Sequence, residues 1–134
     1  MQAISEFPVY TSSRVWTGRI VGGLPALFML VDAGMKLVKP AFVVEATVNL
    51  GYPENVIVPL GIVLAASTIL YLIPRTAILG AILVTGYLGG AVATHVRVGG
   101  PTFSIIFPII FGILIWGGLY LRDPRVSTLI PVRR

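Results

Sequence analysis

The sequence predicts an all-α integral membrane protein, a four-helix bundle with a short interfacial helix in its first outer loop. Three observations predict it. Of 134 residues, 56% are hydrophobic and 11% charged, against about 25% charged in a soluble domain, and the mean hydropathy is +0.94. The apolar residues gather into four runs, each near the ~20 residues that cross a ~30 Å hydrocarbon core. Proline and glycine punctuate the gaps between them. This balance excludes a soluble enzyme, a disordered regulator and a nucleic-acid-binding domain. It makes the lipid bilayer the first partner.

Residues 1–16 precede the first run; 1–13 lack a basic n-region and no small-x-small cleavage site is evident, so the first run, 17–37, reads as a retained span and not a signal peptide. The other runs are 56–73, 76–94 and 103–121, which makes 17–121 the membrane domain and 122–134 a basic tail. Pro74 and Arg75 alone separate the second and third runs, which forces an antiparallel hairpin. Pro25 and Pro108 lie inside runs, where each removes a helix hydrogen bond and predicts a kink. The stretch 40–55 is the long connection. Pro40 suits a helix start and Gly51 a stop. Between them Phe42, Val43, Ala46 and Leu50 share one face and Glu45 and Asn49 another, the pattern of an amphipathic helix on the interface that covers the mouth of the bundle.

Basic residues set the orientation. Arg14, Arg19, Arg75, Arg122, Arg125, Arg133 and Arg134 fall on one side, and Lys36, Lys39 and Arg97, beside Glu45 and Glu54, on the other. The positive-inside rule then puts both termini in the cytoplasm of a bacterial-type inner membrane. Gly18, Gly22 and Ala26, and Gly86, Gly90 and Thr94, recur at small-xxx-small spacing. Such spacing lets helix backbones approach closely, within one bundle or across a dimer. Tyr10, Trp16, Tyr52, Tyr71, Trp116 and Tyr120 mostly fall near run ends, as interfacial anchors do.

Ionisable groups inside spans are costly and concentrate at functional sites. Asp32 lies about 8 Å below the end of the first run at about 1.5 Å per residue, and Lys36 follows on the same helix face. His95 and Arg97 stand at the outer end of the third run, on the same side of the membrane, with Tyr87 two turns below His95. Asp32, Lys36, Tyr87, His95 and Arg97 therefore form a candidate polar pocket for the head group of a quinone, a lipid or an anionic solute. Imidazole titrates near neutrality, and Lys36 and Arg97 suit an oxyanion or a carbonyl oxygen. The same residues also read structurally, as an Asp32–Lys36 pair, a snorkelling lysine and a helix end marked by Arg97. The chain has no cysteine and one histidine, so one copy offers no thiol chemistry, no iron–sulfur or bis-His haem ligation and no multi-His metal site.

Asp32-Ala-Gly-Met-Lys36-Leu37, Asn49-Leu-Gly-Tyr-Pro53, Tyr71-Leu-Ile-Pro-Arg75-Thr76, the block from Thr85 to Val98 around His95 and Arg97, and Leu119-Tyr-Leu-Arg122-Asp123 together resemble the DoxX-like family of small four-span membrane proteins. The resemblance runs from about Arg19 to Asp123 and implies a four-helix membrane bundle. It also implies association with thiosulfate:quinone oxidoreduction, or an accessory role in assembling a membrane complex. Asp32, Lys36, Arg75, His95 and Arg97 are the positions it carries over. The bundle is similar to that of vitamin K epoxide reductase, whose thiol chemistry a chain without cysteine does not carry. Three functions compete: an accessory subunit of a larger membrane complex, the leading expectation; a stand-alone quinone- or small-anion-binding enzyme built on the Asp32, Lys36, His95 and Arg97 cluster; and an oligomeric small-solute transporter. The first makes the isolated chain no enzyme, gives it no covalent cofactor, and makes other membrane subunits or further copies of itself the protein partners, with quinone as the implied small molecule.

Overall fold

Long apolar runs with few charges fold in lipid as helices, because every backbone amide must be satisfied within the segment. The computed structural model describes residues 9–132 and contains four such helices, each long and apolar enough to cross a membrane. Helix α1 spans Ser12–Val38, α3 Ile57–Leu72, α4 Ala77–Val98 and α5 Thr102–Arg122. Two short helices lie outside the spans: α2, Ala41–Asn49, in the first loop, and α6, Pro124–Leu129, in the tail. Helix α1 begins at Ser12, ahead of the expected Thr17, because Thr11 caps it by accepting from the Arg14 amide at 3.3 Å. The tail expected as a basic extension folds in part into α6, where Asp123 accepts from the Arg125 amide at 2.9 Å. Arg133 and Arg134 lie outside the described residues.

The spans form a ring in which α1 packs on α3 and α5, and α4 packs on the same two. Helices α1 and α4 are therefore diagonal neighbours. Both α1 and α5 continue through their prolines, Pro25 and Pro108. Turns of 3-10 helix at Glu54–Val56 and Pro74–Thr76 lead into α3 and α4. The second of them makes the tight hairpin.

Close approach is set by glycine where α1 meets its neighbours. A Cβ on Gly18 would lie 2.6 Å from the Gly118 carbonyl of α5, and one on Gly22 would collide with the Tyr71 hydroxyl. Gly18 and Gly22 thus pack within the bundle, and Gly118 is the partner the spacing did not reveal. Gly86 and Gly90 do not pack helices in this chain. A Cβ on either meets nothing within 4 Å, and both are exposed on the flank of α4. Tyr71 is likewise no interfacial anchor. Its ring is fully buried in the core with Ala26, Leu64, Val84 and Ile115, and its hydroxyl donates to the Ile115 carbonyl at 2.7 Å. Trp116 sits against that core and donates from Nε1 to Thr85 Oγ1 at 2.7 Å, tying α5 to α4.

Candidate functional site

Two diagonal helices that each pack on the other two spans, and not closely on one another, leave a space between them. At the end of the bundle where α1 runs out and α4 finishes, that space is a cavity of about 500 Å³. Asp32 and Lys36 reach it from α1, Tyr87, Thr94 and His95 from α4, and Leu60 from α3. Helix α2 roofs it. Phe42, Val43, Ala46 and Leu50, the face expected to be apolar, all line it, with Thr47 added, while Glu45 and Asn49 are exposed.

The local sequence explains the first pair. An aspartate and a lysine at i and i+4 lie on one helix face, and Lys36 Nζ donates to both carboxylate oxygens of Asp32, at 2.8 and 2.9 Å. The lysine side chain is 15% exposed and the aspartate 35%, so a charge pair stands in the cavity wall. Gly61 of α3 makes room for the Lys36 stem, since a Cβ there would lie 2.9 Å from Lys36 Cβ.

His95 is oriented by its own helix. Nδ1 lies 2.8 Å from the Ala91 carbonyl, which accepts only from a protonated nitrogen, so Nδ1 carries the hydrogen. Nε2 is then the nitrogen open to a ligand. It accepts from a hydroxyl when the ring is neutral and donates to a carbonyl or an anion when it is charged.

Arg97 is at the rim and not in the cavity. It is exposed, and its Nη2 donates to the Leu50 carbonyl at 3.1 Å, beside Gly51, whose φ of 95° ends α2. A second bond closes the same seam. Thr94 Oγ1 donates to the Gly90 carbonyl at 2.8 Å, so the Tyr52 hydroxyl donates to Thr94 Oγ1, at 2.6 Å. At the root of the loop Lys39 meets Glu54 at 3.4 Å. Arg97, Tyr52 and Thr94 latch the roof to α4, and Lys39 and Glu54 tie its two ends together. Tyr52, expected as an interfacial anchor, is one of these latches. Arg75 lies at the opposite end of the bundle, exposed in the α3–α4 turn.

Asp32, Tyr87 and Ala91 also line a smaller space of about 110 Å³. Its walls are aromatic and apolar. Phe28 stands edge-on to Phe107 and Phe111, with ring centroids 5.6 and 5.1 Å apart, and Met29, Leu64 and Pro108 complete it. The larger chamber, which carries the charged pair, and an apolar annex thus meet at Asp32 and Tyr87. Gly86 and Gly90 line the larger chamber while exposed on the flank, so it opens sideways at the depth of the spans. Among the described residues no group of three or more His, Cys, Asp or Glu side chains could hold a metal ion.

The model of one protein family, described as the DoxX-like family, matches residues 20–118. No curated protein and no solved structure matches the chain.

Proposed function

The chain belongs to the DoxX-like family, and on that premise we propose that it is a membrane-embedded binding subunit whose cavity takes the head group of an amphipathic molecule, a quinone-type ring best of all. The observation that carries this reading is the convergence of the Asp32–Lys36 pair, Tyr87 and His95 on one cavity of about 500 Å³, within the range of about 300–1,000 Å³ usual for small-molecule sites. Lys36 is a donor for a ring carbonyl, Asp32 and His95 Nε2 are acceptors for a ring hydroxyl, and the phenylalanine annex suits an apolar tail. The chemistry of a quinone is electron and proton exchange. This chain can hold the ring between Lys36 Nζ and His95 Nε2. One copy, with no cysteine and one histidine, cannot ligate an iron–sulfur cluster or a bis-His haem. Electrons then come from a partner, which supports an accessory role in a larger membrane complex.

Binding of a short-chain quinone analogue to the chain in lipid nanodiscs tests the site. Asp32→Asn and His95→Ala are each expected to weaken it at least tenfold with helicity intact. Unchanged binding in both removes the reading. Native mass spectrometry of gently extracted protein tests the subunit role, with a co-purifying redox subunit as the expected result and a chain carrying at most a small molecule as the refuting one. The orientation that goes with this reading has both termini in the cytoplasm of a bacterial-type inner membrane. Single cysteines introduced at Ser12 and at Asn49 test it, the Asn49 site being labelled by an impermeant thiol reagent in intact cells and the Ser12 site not.

A further inference from the structure

The opposite end of the bundle holds a second cavity, of about 380 Å³, independent of the first. Arg19 of α1, Arg122 of α5 and Arg125 of α6 line it, facing, among the described residues, a single carboxylate, Asp123. That carboxylate is spoken for, since Arg125 holds it from Nη2 at 2.7 Å and from Nε at 3.1 Å. Among the described residues no carboxylate pairs with Arg19 or Arg122.

Both of these guanidinium groups rest on aromatic faces. Arg19 Cζ lies 4.8 Å from the Trp16 ring and Arg122 Cζ 4.7 Å from the Tyr71 ring. Stacking occupies the face of a guanidinium and leaves its in-plane N–H fork for an acceptor. Arg122 Nη2 donates to the Tyr71 carbonyl at a long 3.5 Å, which leaves most of its fork free among the described residues. The first residue of α4, Ala77, also lines the cavity, and no side chain caps that helix start, so its positive dipole end adds to the same field. Leu72 and Leu119 supply an apolar wall beside the charges.

We propose that this cavity is a binding site for an anionic phosphate group. Phosphate oxygens are the acceptors that suit paired guanidinium forks. A basic pocket between spans at the membrane surface, flanked by tryptophan and by apolar side chains, matches the chemistry of an anionic phospholipid head group. A free phosphate offers the same oxygens without the chains.

The full chain purified in detergent separates the two sources. Native mass spectrometry compares retention of phosphatidylglycerol with phosphatidylcholine, and a melting curve with and without millimolar inorganic phosphate forms the second arm. Arg19→Gln carries the test, because Arg19 is exposed and its removal leaves the core untouched. Arg75→Gln is the control, an exposed arginine at the same end but outside the cavity. A preference for phosphatidylglycerol that falls at least fivefold in Arg19→Gln and holds in Arg75→Gln establishes the site with lipid as its ligand. Stabilisation by inorganic phosphate, lost in Arg19→Gln alone and without lipid preference, establishes it with free phosphate. Equal losses in the two variants, or no response in either arm, overturn the proposal, and neither result bears on the cavity at Asp32.

Discussion

The Tyr71 hydroxyl reaches the Ile115 carbonyl from a fully buried ring; the missing side chain of Gly22 leaves the hydroxyl its place, and that of Gly80 lets α4 close on the Tyr71 backbone. Removing the hydroxyl in Tyr71→Phe is expected to cost about 1 kcal/mol, read from denaturant unfolding in detergent. Adding a methyl at Gly22 is worse, since it meets the hydroxyl and both helix backbones must shift. Gly22→Ala is expected to destabilise by about 1–3 kcal/mol, the usual cost of overpacking. Gly86→Ala, with nothing within 4 Å, leaves stability the same or slightly higher while narrowing the first cavity, so it separates folding from ligand binding. Asp123 belongs to a different regime. Burial pushes its carboxyl up, but the hydrogen bonds and charge of Arg125, helped by the charge of Arg122, outweigh this and hold it below the usual carboxylate range. Its contribution is therefore complete above the unfolded value of about 3.9 and is lost as pH falls through the lower folded value. The docking of α6 is expected to loosen in that acid window, and Asp123→Asn to remove the pH dependence, as read by amide exchange across residues 124–129.

At the scale of elements, the roof helix α2 has two kinds of attachment. Its apolar face sits over the cavity, and polar latches hold its far end to α4 through Tyr52, Thr94 and Arg97. An exposed hydrogen bond of the Arg97 kind is worth little in overall stability but decides how often the edge opens. With no native cysteine, a single cysteine at Val43, which is buried under the roof, reports that opening cleanly. Arg97→Ala is expected to speed its labelling severalfold with the melting temperature nearly unchanged. Equal rates in the two backgrounds would show that Arg97 is no latch. Helix α2 was readable because Pro40, Gly51 and a one-sided apolar pattern are local signals. The role of Arg97 was not, because its partner lies 47 residues away in the chain. The Tyr52–Thr94 bond spans 42 residues and was hidden for the same reason.

For the molecule as a whole, the four spans and the tight hairpin were legible because hydropathy and proline act over a turn or a span of sequence. The Asp32–Lys36 pair was legible too, as an i, i+4 relation within one helix. Which helices touch was not. Small-residue spacing is identical in α1 and α4, yet the ring order puts Gly18 and Gly22 against α5 and α3 and leaves Gly86 and Gly90 bare. The same ring order brings Asp32 and Lys36 to the same cavity as Tyr87 and His95, a juxtaposition that no pattern within one helix could specify. Because α1 and α4 are held apart by their neighbours and not by each other, an occupant of the gap binds only the assembled bundle. A ligand at a hundred times its Kd is then expected to raise the unfolding free energy by about 2.7 kcal/mol, read as a shift in melting temperature that Asp32→Asn reduces.

The bare flank at Gly86 and Gly90 changes what affinity means for this protein. A doorway at that depth is reached from the acyl-chain phase and not from water, so the concentration that drives binding is a mole fraction in the bilayer. A molecule that partitions strongly would fill the site at trace aqueous levels, and diluting the protein with extra lipid or detergent would empty it while the aqueous concentration stayed fixed. Binding constants for this chain are therefore comparable between laboratories only when expressed per lipid.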